Sequence, residues 1–350
     1  MAISFTSAEQ SVLYGLVKYP RLNDRELSEI IGVKPSTTTA IRRRLRKKEV
    51  FCTKRIPMGH MLGHEIMVVA YGKIRPSLKD KERQEFLDWV KNIPYVFLSL
   101  ACSDAVLNIA YLKNYSMYRL YIDLVSEKFR DTELVDAKTW TPVIFGFETS
   151  KPVTYFDFGP AVRHAFGIED EQCEEPTFEK PSGEKLTKKE RSVLKGLVMY
   201  PESSDKHIAE KIGASRQAVS TMKRRFEDAG LMKTVRIVDL QKIGYTILAV
   251  AHSVFTPLAT LESRESGVKV VRESIPAFLS IASNPENVML APVMDYDEYH
   301  RIRTQVVRYY MDKGFMSEEP RVTLFPLSDT LIIKNYDFSG YMDIVVGEDG

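Results

Sequence analysis

Ser36, Thr37, Thr39, Arg42, Arg43, Arg44 and Lys47 crowd one short segment, in which Thr38, Ile41 and Leu45 recur at helical spacing. With those three turned inward, a rotation of about 100° per residue carries Ser36, Thr39, Arg43 and Lys47 to the opposite face. Small hydroxyls and an arginine on an exposed helix face are groups that bond base edges in a major groove, while neighbouring cations neutralise phosphates. The pattern returns later, where Arg216, Gln217, Ser220, Thr221, Lys223, Arg224 and Arg225 surround Val219, Met222 and Phe226. Residues 34–55 carry nine Lys or Arg against one acid, and residues 215–236 carry six against two. That lopsidedness matters because net charge over the 350 residues is only +2. The chemistry these residues suit is recognition of double-stranded DNA.

The elements that must position them are legible in duplicate. Residues 5–63 align without a gap on residues 186–244 at an offset of 181, with 20 of 59 positions identical. A period of that length suits a repeated domain pair and is too long for a solenoid unit. In the first copy Val12, Leu13, Leu16 and Val17 mark one helix face, and Asp24 opens a second helix that Gly32 ends. Pro35 then starts the basic helix, where its missing N–H costs nothing. Asp205, Ile208, Ile212 and Gly213 repeat the scheme, and β-prone stretches at 50–56 and 231–238 supply wings.

Downstream, the first copy reads as strand 65–73, helix 79–92, strands 95–102 and 105–112, helix 116–130 and strand 134–143. The second reads as strand 245–254, helix 263–274, strands 278–283 and 288–293, helix 297–312 and strand 321–326. The order βαββαβ is the ferredoxin-like signature, an antiparallel sheet with two helices on one face. The expected fold class is α+β: two copies of a winged helix-turn-helix domain followed by a ferredoxin-like domain. The domains are placed at 1–60, 61–166, 186–240 and 241–350, with an acidic linker at 167–185. Each copy closes alike, on Asp157-Phe158 and Asp337-Phe338.

Other chemistries find little support. Cys52, Cys102 and Cys173 form no CxxC motif, and their sparse, odd number suits reduced thiols in a cytoplasm. No stretch approaches eighteen apolar residues, so neither a membrane span nor a membrane partner is expected. No glycine-rich phosphate loop, nucleophile elbow or paired-carboxylate motif is present. His60 and His64 have a metal-compatible spacing but lie in a connector between Gly59 and Gly63. Neither a metal nor a cofactor is expected.

The phrases DKHIAEKIG (205–213), residues 218–231 and VDLQKIGYTILAV (238–250) resemble the leucine-responsive regulator (Lrp/AsnC) family, here as a tandem duplication. That resemblance implies a bacterial or archaeal transcriptional regulator whose ferredoxin-like domains pair to set two DNA readers apart. A single chain would then form a pseudo-dimer reading an imperfect palindrome, because Ser36 and Thr37 are matched by Gln217 and Ala218. Association into homodimers or higher oligomers is implied as well. The family's small-molecule effector pocket is marked by a Gly-x-x-Asp turn; here Ala101-Cys102-Ser103-Asp104 keeps Asp104 without the glycine. Two alternatives stand beside this reading. Glu227 and Asp228 leave room for one helix-turn-helix to dock protein instead of DNA. Siroheme decarboxylases share the architecture, and likeness to them would call for a histidine-rich strand. The matching segments, 96–103 and 278–283, contain neither His nor Arg, so the chain is expected not to be an enzyme.

Overall fold

The computed structural model describes residues 3–74, 80–130, 138–169, 176–178 and 186–347. The first repeat contains α1 (Ser7–Lys18), α2 (Asp24–Ile31), α3 (Pro35–Lys47), β1 (Phe51–Pro57), β2 (Ile66–Lys73), α4 (Asp80–Lys91), β3 (Val96–Ala101), β4 (Ala105–Leu112), α5 (Tyr115–Arg130), β5 (Thr141–Gly146), β6 (Lys151–Tyr155) and α6 (Gly159–Phe166). The second contains α7 (Lys188–Met199), α8 (Asp205–Ile212), α9 (Arg216–Asp228), β7 (Met232–Val238), β8 (Ile247–Val254), α10 (Glu265–Ser274), β9 (Leu279–Ala282), β10 (Glu286–Val293), α11 (Tyr296–Asp312), β11 (Arg321–Pro326), β12 (Leu331–Lys334) and α12 (Ser339–Gly347). The class is mixed α+β. The strand expected at 134–143 begins outside the described residues and is seen as β5, while most of the acidic linker also falls outside them.

The opening helices form for local reasons that the duplication preserves. Thr6 and Glu9 close a capping box on α1, and Thr187 with Glu190 closes the same box on α7. Gly32 and Gly213 end α2 and α8 in the left-handed conformation, at φ 68° and 67°. Gly15 and Gly196 sit inside helices because the next helix passes too close for a side chain. A Cβ on Gly15 would lie 2.7 Å from Ile31, and one on Gly196 would lie 2.9 Å from Ile212.

Two compact units result, and they do not follow sequence order. Unit one combines residues 1–53, 149–177 and 234–328; unit two combines 54–148, 178–233 and 329–350. Each therefore joins the helix-turn-helix of one repeat to the βαββαβ sheet of the other. Unit one has strand order β11-β8-β10-β9-β6, and unit two has β12-β3-β4-β2-β5. Four strands of each follow the ferredoxin-like order, and the fifth is an addition that the sequence pattern did not announce. In unit one β6, from the first repeat, pairs antiparallel with β9 of the second; in unit two β12 pairs antiparallel with β3.

Buried arginines tie the wing strands to the helices. In unit one Arg236 donates to the Leu16 carbonyl, and in unit two Arg55 donates to the Leu197 carbonyl at 3.0 Å. These four residues match at the offset of 181, so each bond joins residues from different repeats. The central strands of the unit-two sheet, β2, β3 and β4, are buried on both faces. In unit two all eight residues of β4 are buried, between the cluster of Ile66, Tyr118 and Tyr121 on one side and Phe97, Tyr111, Phe338 and Tyr341 on the other.

Candidate nucleic-acid interface

On α3 the inward triplet is as the spacing requires: Thr38, Ile41 and Leu45 are buried. Ser36, Thr37, Arg43, Arg44 and Lys47 are exposed, while Thr39 and Arg42 are half-buried. Thr39 and Arg42 are already engaged, since Thr39 Oγ1 donates to Asp24 at 2.8 Å and Arg42 Nη1 to the other Asp24 oxygen at 2.7 Å. Burial pushes the Asp24 carboxyl up, but these donors outweigh it and hold the group below its ordinary value. Asp24 therefore fixes the α2–α3 angle and takes two expected base or phosphate contacts into the protein. Arg44 is likewise bound to Glu9 at 2.9 Å. The α3 residues left unengaged at the exposed face are Ser36, Thr37, Arg43 and Lys47.

On α9 Val219 and Phe226 are buried. Arg216, Gln217, Ser220, Thr221, Arg224 and Arg225 are exposed, and Lys223 is half-buried. Arg225 pairs with Glu190, as Arg44 does with Glu9, so the identical Arg pair splits its labour. Its second member braces α1 or α7, and its first, Arg43 or Arg224, points to solvent. Glu190 sits below its ordinary carboxyl value, chiefly through the Thr187 amide. Ser215 caps α9 through the Ala218 amide, whereas α3 starts on Pro35 without a side-chain cap. Thus the N-termini that would enter a groove differ in capping as well as in sequence.

The effector candidate Asp104 is exposed in the β3–β4 turn, where it accepts from the Cys102 thiol at 3.4 Å. Its backbone carbonyl accepts from Ile74 at 2.8 Å, so the residue has an ordinary turn role. His60 lies in a short helical turn of unit two, Gly59–Leu62, with His64 just beyond it, and both are buried. His64 is 3.1 Å from the Tyr341 hydroxyl, and His60 packs on Phe147 and Phe178. Burial pushes His60 down to about 4. Unit one sets one histidine among polar partners: accessible His164 lies 3.0 Å from the Tyr245 hydroxyl and 3.2 Å from Glu298. Tyr245 spends its own proton on the Ala161 carbonyl at 2.8 Å, so it accepts from His164 Nδ1. A histidine held between a hydroxyl acceptor and a carboxylate is equipped to carry and deliver a proton. Only tertiary contact joins residues 164, 245 and 298, so no local motif announces them.

No protein-family model matches the chain, and no curated protein matches it. Among solved structures it is similar to the siroheme decarboxylase NirDL in complex with an iron-uroporphyrin III analogue, at 12% identity and TM-score 0.54. That likeness covers 98% of this chain and 100% of the other. It is also similar to a Neisseria meningitidis transcriptional regulator solved with L-Met, at 18% identity, covering 41% of this chain and 90% of that one with TM-score 0.33. A Bacillus subtilis protein, LrpC, matches at 14% identity over 41% of this chain and 93% of its own, with TM-score 0.27. The expectation that the chain is not an enzyme is corrected by the first of these. Its full-length fold is one that a decarboxylase uses.

Proposed function

We propose that α3 and α9 bind double-stranded DNA, and that the chain regulates transcription from an imperfect palindrome. The observation that carries this reading is the duplicated exposed face: Ser36, Thr37, Arg43 and Lys47 on one helix, Gln217, Ser220, Thr221 and Arg224 on the other. Hydroxyls and the Gln217 amide suit base edges, and the flanking cations suit phosphates. Incubating the full chain with fragmented genomic DNA at moderate salt, then sequencing what is retained, tests it. A two-part motif with unlike halves is expected. Retention without a motif, or no retention, would count against sequence-specific regulation.

A second reading is favoured by the full-length likeness, which outweighs the partial likenesses to regulators: a tetrapyrrole-binding decarboxylase. Decarboxylation breaks the bond to a carboxylate carbon, releases carbon dioxide and leaves an electron pair that must take a proton. His164, held by Tyr245 and Glu298, is the group we assign to deliver it. Titrating the protein with iron-uroporphyrin III and following the absorption band gives binding. Incubation with siroheme under exclusion of oxygen, with carbon dioxide release measured in wild type and His164→Gln, gives catalysis. Binding without release would leave a tetrapyrrole-binding protein, and neither would remove this reading.

A further inference from the structure

Unit one contains a cavity of about 60 Å³ against its sheet and helices α10 and α11. At roughly 10–15 Å³ for each water-sized sphere, it has room for about four to six waters, or a ligand of about five to eight non-hydrogen atoms. Phe255, Val268 and Met289 give it an apolar wall, while Lys151, Arg264, Glu265 and Asn287 bring polar groups to it, Lys151 and Glu265 already paired at 3.1 Å near its mouth. The matched space in unit two is an apolar cluster. There Ile74, Leu87 and Val106 stand at the positions of Phe255, Val268 and Asn287, and Trp89 and Trp140 pack against them. The two repeats have therefore diverged at this place, one toward a packed core and the other toward a partly polar hollow.

Charge diverges in the same direction. Arg264 is 3% exposed. Its hydrogen bonds run to the uncharged carbonyls of Ala259, Thr260, Ser283 and Asn284, and its guanidinium stacks 3.6 Å from the centre of the Phe255 ring. Arg83, its match in unit two, makes the matching bond to the Cys102 carbonyl at 2.9 Å. Arg83 also has an acid near it: Asp329 sits below its ordinary value, chiefly through the Ser103 amide and in part through Arg83. In unit one the position of Asp329 is taken by Thr149, at the offset of 180 that holds along these closing segments. Arg264 is thus a buried cation whose repeat partner has a carboxylate neighbour and which has lost it, and burying a charge without an opposite one is costly.

From this geometry we infer that the unit-one cavity binds a small organic carboxylate with a short, branched or cyclic apolar body. The carboxylate lies toward Arg264, and the body against Phe255, Val268 and Met289. The inference is independent of both functional readings above.

Calorimetric titration of the full chain with 3-methylbutanoate and with cyclopentanecarboxylate tests it, each beside its neutral amide. Saturable one-to-one binding of at least one acid is expected, with Kd on the order of 0.1–1 mM for a ligand of this size, and the amide at least tenfold weaker. Val268→Trp, which fills the hollow, and Asn287→Val, which installs the unit-two residue, should each weaken the acid about tenfold or more. Thr149→Asp, which returns the missing carboxylate, should weaken the acid and leave the amide unchanged. Failure of the folded wild type to bind either acid overturns the proposal, as does equal affinity for acid and amide. Should Val268→Trp fail to fold, unaltered binding in Asn287→Val and Thr149→Asp overturns it just as well.

Discussion

Two residues show how a single side chain reports on its repeat. Glu49 adopts φ 52° at the end of α3, where the second repeat has Gly230 at φ 66°. A side chain in that left-handed region is strained, and glycine is not. Glu49→Gly is expected to raise stability by about 0.5–1 kcal/mol, read as a higher urea midpoint. His60 makes the second case. Its Nδ1 is buried without a hydrogen-bond partner, and burial holds its pKa at about 4 against an ordinary 6.5. Below pH 6.5 the unfolded chain takes up a proton that the folded chain refuses until about pH 4. Stability should therefore fall with pH across that window, by at most about 3 kcal/mol from this group. Replacing His60 with Met removes the titration. The difference between wild-type and His60→Met urea midpoints at pH 7 and pH 4.5 isolates it, and an equal acid loss in both would show that His60 titrates normally.

Among the elements, α3 and α9 carry the same frame with unequal charge. Arg43 and Arg224 are the members of the shared Arg pair that point to solvent, but α3 ends on Arg46, Lys47 and its cap Lys48 where α9 ends on Glu227, Asp228 and its cap Ala229. Arg43→Ala is expected to weaken DNA binding more than Arg224→Ala. Measured against salt, the Arg43 variant should lose about 0.9 from the log–log slope if that guanidinium meets a phosphate. Equal losses would argue that both helices bind alike. The basic face of α3 was readable because its helical spacing is local. The capture of Thr39 and Arg42 by Asp24 was not, since it depends on the crossing of α2 over α3.

The whole molecule turns on exchange between repeats. Each unit takes its helix-turn-helix from one repeat and its sheet from the other, and an added strand, β6 or β12, completes each sheet. Cutting the chain within 170–185 would leave each half without parts of both units. Separately expressed 1–169 and 186–350 should lack a cooperative thermal transition as monomers, whereas co-expression should yield a one-to-one complex that melts cooperatively. A monomeric, cooperatively melting 1–169 fragment would contradict the exchanged architecture. Beyond this, no helix among the described residues is long and apolar enough to cross a membrane.

Sequence by itself determined what depends on near neighbours. The capping boxes at Thr6 and Thr187, the turns at Gly32 and Gly213, the inward triplet of α3 and the alternation of strands and helices are set within a few residues, and the constant offset of 181 exposed the duplication. Tertiary structure alone decided which copy of each element packs with which. Two homologous repeats offer each sheet edge and each helix carbonyl two chemically similar partners, and a linear pattern holds no term that chooses between them. Hence β6 on β9, Arg236 on Leu16 and His164 between Tyr245 and Glu298 became visible only in the folded chain. The hollow beside Arg264 belongs with them, because a cavity is a property of what several distant segments fail to fill.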